Sequence, residues 1–437
     1  MGSIGDPRMS RQPKQPWVET PLIESVALSQ EAGWYAIYIA QFFFIPSRAL
    51  TISQQPDFPE ARESPALWFL QVTVRNPGEK QVVPKLTHSR GVGNLVRAHA
   101  TNPSNAGKHL HFFIPSAGNA GLAAATAASA LNHPCTVALP TTTKPVMLQK
   151  IRQAGASVIQ HGVNIVEAAG RMREIMDGMR GMRIEDNGPI VPIELHPFDR
   201  EEIWEGMSTI VDEMAYQLPA LEGDEVEEES RNPRALAVDA IICSIGGGGL
   251  MNGIIMGIER QSKMSARHRR RSGRDVHIIA TETIGAHALA DSVKSGKVTT
   301  LPGVTSMATS LGVPKVATRT FENATNPPPG VKVHSLVLHD SDAARGTLRL
   351  ADEHQLLVEL ACGVSVEAAF APATGSKKAR ANGYTNGQGG GIRSYLSQAI
   401  PNFGPRSRVV IVVCGGSNVS LDLAAEWRRK LNDGWEA

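Results

Sequence analysis

The chain has 437 residues, of which 42% are hydrophobic and 20% are charged, and its formal net charge is +2. This length allows two or three compact units with buried cores, and the ordinary globular composition excludes a small disulfide-stapled scaffold. The near-neutral charge gives no reason to expect nucleic acid or an anionic membrane as a partner, so we expect a small-molecule ligand.

The beginning of the chain is polar. Residues 1–16 contain prolines and lack the apolar core of a secretory signal, so we predict a disordered tail. The four cysteines are far apart and show no C-x-x-C spacing, which favours a reducing, cytoplasmic location. The longest apolar stretch, residues 235–258, contains Asp239 and four consecutive glycines, and it therefore predicts a strand, a turn and a helix rather than a membrane span.

Residues 40–85 differ from the rest of the chain. They contain scattered prolines and no sustained spacing of apolar residues, whereas the sequence on both sides follows a regular pattern. We interpret this segment as irregular.

Beyond residue 100 the sequence repeats one theme, in which a short apolar run is followed by a turn rich in small residues and then by a helical pattern. The runs are residues 109–115, 135–140, 156–162, 239–245, 276–282 and 409–416. Continuous apolar runs predict strands that are buried on both faces, and their alternation with helices predicts parallel sheets. The fold class that follows is α/β.

Three polar stretches interrupt this theme. Residues 221–230 are acidic and residues 265–274 are basic, and both are typical of solvated loops or helix ends. Residues 375–394 are rich in glycine, asparagine and lysine and have no apolar period, which predicts a surface loop insertion.

The strongest site motif is the run from Ser244 to Leu250, which contains Gly246, Gly247, Gly248 and Gly249. It follows an apolar run and precedes an apolar helical stretch. Four consecutive glycines there allow successive backbone N–H groups to converge on an anion at the start of a helix. The motif therefore predicts a phosphate site, and a flexible turn without a ligand is the alternative.

Two further loops follow predicted strands. Residues 116–121 read Ser-Ala-Gly-Asn-Ala-Gly, where Ser116 and Asn119 could bind a carboxylate or simply cap the helix that follows. Residues 413–418 read Val-Cys-Gly-Gly-Ser-Asn. Because ligands in α/β sheets gather at the carboxyl ends of strands, three such loops predict a site more strongly than any one of them.

These three loops, in this order, resemble the asparagine, phosphate and pyridine-nitrogen loops of the pyridoxal-phosphate (PLP) enzymes of fold type II. The resemblance is strongest to eukaryotic serine dehydratases. It continues through residues 20–25, 196–199, 204–214 and 282–286, and it covers most of residues 17–39 and 86–430.

The resemblance implies one dehydratase-like unit over residues 17–430. Two open, twisted, mainly parallel sheets with flanking helices would form a large domain, residues 17–39 and 191–430, and a small domain, residues 40–190. The cofactor would lie in the cleft between the domains. The resemblance further implies a homodimer.

The resemblance also implies roles for individual residues. Asn119 would contact the 3-oxygen of the pyridine ring, Ser116 and Asn119 would bind the substrate carboxylate, and Cys414 would face the pyridine nitrogen. The cofactor phosphate would be bound by the backbone of Gly246, Gly247, Gly248, Gly249 and Leu250.

A monovalent cation is also implied. Glu282 and Ala286, with the carbonyl group of Gly246, resemble the family's potassium site. A purely structural role for the buried carboxylate of Glu282 is the alternative.

The family's Schiff-base lysine is missing from its expected place. Alignment on Arg90 and Gly91 places His88 at the lysine position, and an imidazole has no primary amine with which to bond the cofactor. Lys85, three residues earlier, could substitute only from a displaced loop. We consider two explanations. One is a protein that keeps the fold but has lost catalysis. The other is an error in the predicted coding sequence, in which residues 40–88 are intronic or frame-shifted translation in place of a segment that carries the lysine.

With the lysine in place, the resemblance implies an L-serine and L-threonine dehydratase of amino-acid catabolism. It would form pyruvate or 2-oxobutanoate, with ammonia. The alternative is a catalytically inactive binding protein with the same fold. A nucleotide-binding oxidoreductase is disfavoured because the glycine run lacks the G-x-G-x-x-G spacing.

Overall fold

A computed structural model of the chain describes residues 22–32, 36–41, 88–184, 188–219, 236–264, 275–370, 394–404 and 406–435. Several predictions from the sequence lie outside these residues. They are the disordered tail, most of the irregular segment with Lys85, the acidic and basic stretches, and the surface insertion up to residue 393.

The described strands are β1 (Leu22–Glu24), β2 (Ala36–Gln41), β3 (His109–Pro115), β4 (Cys135–Leu139), β5 (Ser157–Gln160), β6 (Arg183–Ile184), β7 (Gly188–Glu194), β8 (Ala240–Ser244), β9 (Val276–Thr283), β10 (Val331–Leu338) and β11 (Arg408–Val413). The described helices are α1 (Val26–Ala32), α2 (His88–Thr101), α3 (Asn119–Ala130), α4 (Pro145–Gln153), α5 (Ile165–Met179), α6 (Glu201–Gln217), α7 (Gly249–Met264), α8 (Ala288–Ser295), α9 (Thr318–Thr325), α10 (Asp340–His354), α11 (Leu360–Ala368), α12 (Tyr395–Ala399) and α13 (Leu421–Asn432).

These strands form two sheets. The six-stranded sheet has the order β1-β2-β11-β8-β9-β10, and the five-stranded sheet has the order β5-β4-β3-β7-β6. All neighbouring strands are parallel except β1 with β2 and β6 with β7. The predicted α/β class, with two mainly parallel sheets and flanking helices, is therefore confirmed. The boundaries of the two predicted domains stay a prediction.

Each apolar run singled out in the sequence corresponds to a strand that extends at most one residue beyond the bounds of the run. Two long strands, β7 and β10, lack a continuous apolar run and were not predicted from the sequence. Strand β7 contains Pro189 and Pro192, and β10 mixes buried with partly exposed residues. Strand β2 continues to Gln41, so the first two residues of the predicted irregular segment belong to the sheet.

The central strands of the six-stranded sheet are buried on both faces, as continuous apolar runs require. Ile241 and Ile242 are both fully buried but belong to different cores. One core packs against α11, and the other packs against α6 and α7. The five-stranded sheet is covered by α2 and α3 on one face, around Phe112, and by α5 on the other, around Phe113.

A buried ion pair fixes the orientation of α2. The guanidinium of Arg90, which is 1% exposed, donates to both carboxylate oxygens of Glu213 on α6. Close backbone contact supports the same packing, because a Cβ added at Gly206 would overlap the carbonyl group of Arg90. The first turn of α2, where His88 lies, is therefore held in place by α6. None of the helices that the structure describes is both long and apolar enough to cross a membrane.

Candidate functional site

The three loops identified in the sequence all follow the carboxyl ends of strands. Asn119 is the first residue of α3, after β3, and it is 5% exposed. Its side-chain oxygen accepts a hydrogen bond of 2.8 Å from the hydroxyl of Ser417, which lies in the loop after β11. The structure thus joins the loop of the five-stranded sheet to a loop of the six-stranded sheet.

The carboxylate of Glu359 lies at the centre of this arrangement. It accepts hydrogen bonds from Asn119 Nδ2 at 3.0 Å, from the backbone N–H of Asn418 at 2.9 Å, and from the hydroxyl of Ser310. Glu359 is only 5% exposed, so these donors replace the water that a buried carboxylate loses. The cluster of Glu359, Asn119, Ser310, Ser417 and Asn418, hereafter the Glu359 cluster, is a preformed polar site between the two sheets.

The glycine loop begins where β8 ends, and α7 starts at Gly249. Gly247, Gly248 and Gly249 are buried, and none of the described residues accepts a hydrogen bond from their backbone N–H groups. Buried N–H groups without a protein acceptor at a helix start form a ready anion site.

Glycine is required in this loop by its neighbours. A Cβ at Gly247 would overlap the ring of Phe198, and a Cβ at Gly248 would overlap the side chain of Thr320. Gly248 also has a φ of +93°, in the left-handed region that favours glycine. The loop is therefore a tightly packed, defined structure, which argues against the flexible-turn alternative.

His88 is the first residue of α2 and is partly buried. Its Nδ1 atom has no hydrogen-bond partner among the described residues. Burial lowers the pKa of His88, and the negative charge of Glu359 opposes this shift without cancelling it. The position aligned with the family lysine thus holds a neutral imidazole close to the Glu359 cluster.

Ser116 and Cys414 lie in the loops expected of them. The backbone N–H of Ser116 donates to Ala138 at 3.0 Å, and its hydroxyl accepts a long hydrogen bond of 3.4 Å from Gly118. Cys414 is partly exposed, and its thiol is hydrogen-bonded to Cys362. That bond, together with burial, raises the pKa of Cys362 well above its ordinary value, so Cys362 remains a neutral thiol.

Glu282, at the end of β9, acts as a helix cap. Its carboxylate oxygens each accept a backbone N–H at 2.8 Å, from Leu289 and Ala290 in the first turn of α8. Burial raises the pKa of Glu282 to about 7, although these two hydrogen bonds favour the charged form. Ala286 is also buried. Capping a helix is a structural role, which is the alternative named above for this carboxylate, and the cation site stays a prediction.

Several site residues carry no distinctive sequence signal. Glu359 and Ser310 lie in segments without a glycine loop, and Phe198 was recognised only as part of a family segment. Their positions follow from tertiary contacts that join residues far apart in the sequence. Among the residues that the structure describes, no group of three or more His, Cys, Asp or Glu side chains is placed to bind a metal ion.

Comparison with known families gives one match. The family described as "Pyridoxal-phosphate dependent enzyme" matches residues 88–384. This chain belongs to that family. The match begins at His88, three residues after the end of the irregular segment at residue 85, and it includes the glycine loop and the Asn119 and Glu359 positions.

Similar members of the family are found among fungal and mammalian proteins. An L-serine dehydratase of Saccharomyces cerevisiae (strain AWRI1631) is 41% identical over 335 residues, which are 76% of this chain and 85% of the yeast protein. An L-serine dehydratase/L-threonine deaminase of Bos taurus is 31% identical over 343 residues, which are 78% of this chain and 85% of the bovine protein.

A solved structure shows the same fold. The fungal L-serine ammonia-lyase from Rhizomucor miehei superposes with a TM-score of 0.64, at 24% identity, over 95% of this chain and 99% of that chain. At this identity the similarity concerns the fold.

The family cofactor can be tested against the residues present. The buried N–H groups of the glycine loop fit its phosphate, because they lack acceptors among the described residues. Asn119 and Cys414 lie in loops that meet at the Glu359 cluster and fit a polar aromatic ring. His88 offers no primary amine. The site therefore fits non-covalent binding of the group, and covalent attachment at position 88 does not fit.

Proposed function

We propose that this chain has the binding site of a pyridoxal-phosphate dependent L-serine dehydratase, with L-threonine as a second substrate, and that His88 deprives it of the amine that efficient turnover needs. The observation that supports this proposal is the joining of the Asn119 and Ser417 loops at Glu359, beside a glycine loop whose backbone N–H groups have no acceptor among the described residues. The reaction class is that of a carbon–nitrogen lyase.

In this proposal Gly246, Gly247, Gly248, Gly249 and Leu250 bind the phosphate through their backbone N–H groups. Asn119 orients the 3-oxygen of the ring. Cys414 offers the pyridine nitrogen a neutral thiol, which does not hold that nitrogen protonated. The cofactor, when bound, supplies the electron sink for cleavage at the substrate α-carbon.

The substrate carboxylate would be bound by Ser116, Asn119 and neighbouring backbone N–H groups at the start of α3. Their position at a helix N-terminus favours a negative charge. The overall reaction removes the α-proton and the β-hydroxyl of serine as water, and hydrolysis then gives pyruvate and ammonia. In the family an amine removes the α-proton, and a neutral His88 lacks the strength of that base.

The specific observation of His88 also supports a second candidate, a catalytically inactive binding protein. It would retain the phosphate cradle and the Glu359 cluster and would bind the cofactor and amino acids without turnover. The two candidates share the fold and the loops. They differ in whether replacing His88 by lysine would produce turnover, so one substitution can separate them.

Several finer features belong to the proposal. They are a potassium ion bound by Glu282, Ala286 and the carbonyl of Gly246, a homodimer, a cytoplasmic location, and a cofactor cleft between a large and a small domain. The explanation that residues 40–88 replace a lysine-bearing segment is checked by sequencing the transcript across this region. A transcript that encodes the chain as written would exclude it.

The deciding experiment restores the amine with H88K and uses H88R as the matched control, which has a charge but no primary amine. We expect H88K to form a borohydride-reducible adduct at residue 88 and to raise pyruvate formation from L-serine by roughly 100-fold or more. H88R should do neither. Peptide mass analysis of the parent protein would also detect any adduct at Lys85.

Three outcomes are informative. Equal pyruvate formation by the parent and H88K would contradict the proposed deficiency at His88. A reducible adduct in H88K without turnover of serine or threonine would contradict the dehydratase proposal and support a binding protein. Absence of cofactor binding in a folded H88K would contradict the site itself.

A further inference from the structure

Lys150 makes a contact that differs from those of an ordinary surface lysine. It lies on α4, whose Met147 and Ile151 are buried in the core of the five-stranded sheet. Lys150 itself is only partly exposed, and its Nζ donates a hydrogen bond of 2.5 Å to the backbone carbonyl of Ser417. The two residues are 267 positions apart in the sequence.

This hydrogen bond connects the two sheets. Helix α4 joins β4 to β5 in the five-stranded sheet, whereas Ser417 follows β11 of the six-stranded sheet. The hydroxyl of the same Ser417 donates to Asn119 Oδ1, and Asn119 Nδ2 donates to Glu359. Lys150 is therefore one residue removed from the carboxamide that the proposed function places against the cofactor ring.

The electrostatic environment of Lys150 is consistent with a defined position. Partial burial lowers the pKa of Lys150, and the negative charge of Glu359 opposes this change. Removing an ammonium group from water is unfavourable unless its new neighbours compensate. Here the carbonyl of Ser417 and the nearby carboxylate of Glu359 provide that compensation.

The orientation of the Asn119 carboxamide depends on three neighbours. Glu359 at 3.0 Å and Ser310 at 3.3 Å accept from the amide nitrogen, and Ser417 donates to the amide oxygen at 2.8 Å. Ser417 is 5% exposed and lies in a loop where Gly415 and Gly416 both have positive φ, and Gly416 packs directly against the side chain of Glu359. The loop is already hydrogen-bonded to Glu359 and Asn119, and the charged donor on the Ser417 carbonyl adds a contact to a separate helix, α4.

We propose that Lys150 is a positioning residue that fastens α4 to the loop of residues 414–418 and thereby sets the orientation of Asn119. The consequence for the cofactor rests on the proposed function. The consequence for the loop does not depend on any ligand, so the two can be tested separately.

The first experiment measures hydrogen exchange of the full chain without added ligand. We compare K150M, which removes the donor, with K150R, which retains one, and with R152M, a change at an exposed basic residue of the same helix. The N–H of Asn418, which donates to Glu359, is the reporter. We expect K150M to accelerate exchange in residues 414–418 by about tenfold and K150R and R152M to change it little.

The second experiment measures the affinity for added pyridoxal phosphate and the absorbance spectrum of the bound group. We expect K150M to weaken binding and to alter the spectrum, because the donor to the 3-oxygen is displaced, and K150R to restore both. A purely structural defect would lower the melting temperature without changing the spectrum of the group that still binds.

The outcomes separate the two proposals. Unchanged exchange of the 414–418 loop in a folded K150M would overturn the role of Lys150, whatever binds. Accelerated exchange, reversed in K150R, in a protein that does not bind pyridoxal phosphate would support Lys150 and contradict the cofactor site. Accelerated exchange with an unaltered spectrum would overturn the link from Lys150 to Asn119.

Discussion

The guanidinium of Arg90 and the carboxylate of Glu213 form two parallel hydrogen bonds, of 2.7 and 2.9 Å, between α2 and α6. Arg90 is 1% exposed and Glu213 is 12% exposed, so either group alone would be a charge largely removed from water. We expect R90M to reduce the free energy of unfolding by about 3–5 kcal/mol, as measured by urea denaturation.

The matched control for R90M is R171M. Arg171 forms an exposed ion pair with Glu174, with side chains 48% and 67% exposed, and its loss should cost less than about 1 kcal/mol. Equal losses in the two variants would show that the buried pair does not fix α2. A smaller loss for the double variant R90M/E213L than for R90M alone would confirm that the unpaired carboxylate causes the defect.

The glycine loop allows a comparison between two adjacent residues. In G247A the new methyl group would overlap the ring of Phe198, whereas in G246A its nearest neighbour is the carbonyl oxygen of Ser310 at 3.5 Å, an ordinary contact. We expect G247A to weaken pyridoxal phosphate binding by about tenfold or more and G246A to change it much less, as measured by equilibrium dialysis. Equal effects would mean that the loop does not form the cradle described.

The pH dependence of stability tests the environment of Glu282. Its pKa is raised from the ordinary 4.5 to about 7, so the folded state holds a proton that the unfolded state has already released. This contribution to stability is fully present below pH 4.5 and is lost as the pH rises to about 7, and it amounts to about 3 kcal/mol.

E282Q removes this titrating group, so the decrease in unfolding free energy between pH 4.5 and 7 should be smaller than in the parent. Glu367 is buried and has a pKa raised to about 7 as well, but it is unchanged in both proteins. The difference between the parent and E282Q in the pH dependence of the unfolding free energy therefore reports the contribution of Glu282. Parallel slopes would refute the raised pKa, and added potassium that changes the parent's slope alone would support the cation proposal.

The Glu359 cluster can be tested by removing its acceptor in two ways. E359A leaves Asn119 and the N–H of Asn418 as buried donors without that acceptor, and we expect a loss of about 1–3 kcal/mol in the free energy of unfolding. E359Q retains one side-chain oxygen that can accept both of these bonds and should lose less. If thermal denaturation showed E359Q to be as unstable as E359A, the negative charge, rather than hydrogen bonding, would be the stabilising factor.

The central strands could be predicted because their burial on both faces leaves a continuous apolar run in the sequence. Strand β8 is an example, since each of Ile241 and Ile242 enters a different core. Strand β10 escaped prediction because it is an edge strand with partly exposed residues, such as His334 and Ser335.

At the site, residues that shape the backbone of a loop could be predicted from the sequence, whereas residues that meet only through tertiary contacts could not. The glycine loop requires small residues and a positive φ at Gly248, which limits the sequence locally. Glu359 and Lys150 contribute single side chains from helices or their ends. Their neighbours along the chain give no sign that both approach the same loop.

The position of His88 at the first turn of α2 has a practical consequence for work with this protein. His88 belongs to none of the hydrophobic cores, and the ion pair that holds this turn is formed by Arg90, so a change at position 88 removes none of these contacts. Yield, solubility in purification and melting temperature would then carry no information on catalytic competence. A preparation that passes every such quality check can still be catalytically inactive. Only a chemical assay for a primary amine at position 88 distinguishes a competent protein from an inactive one.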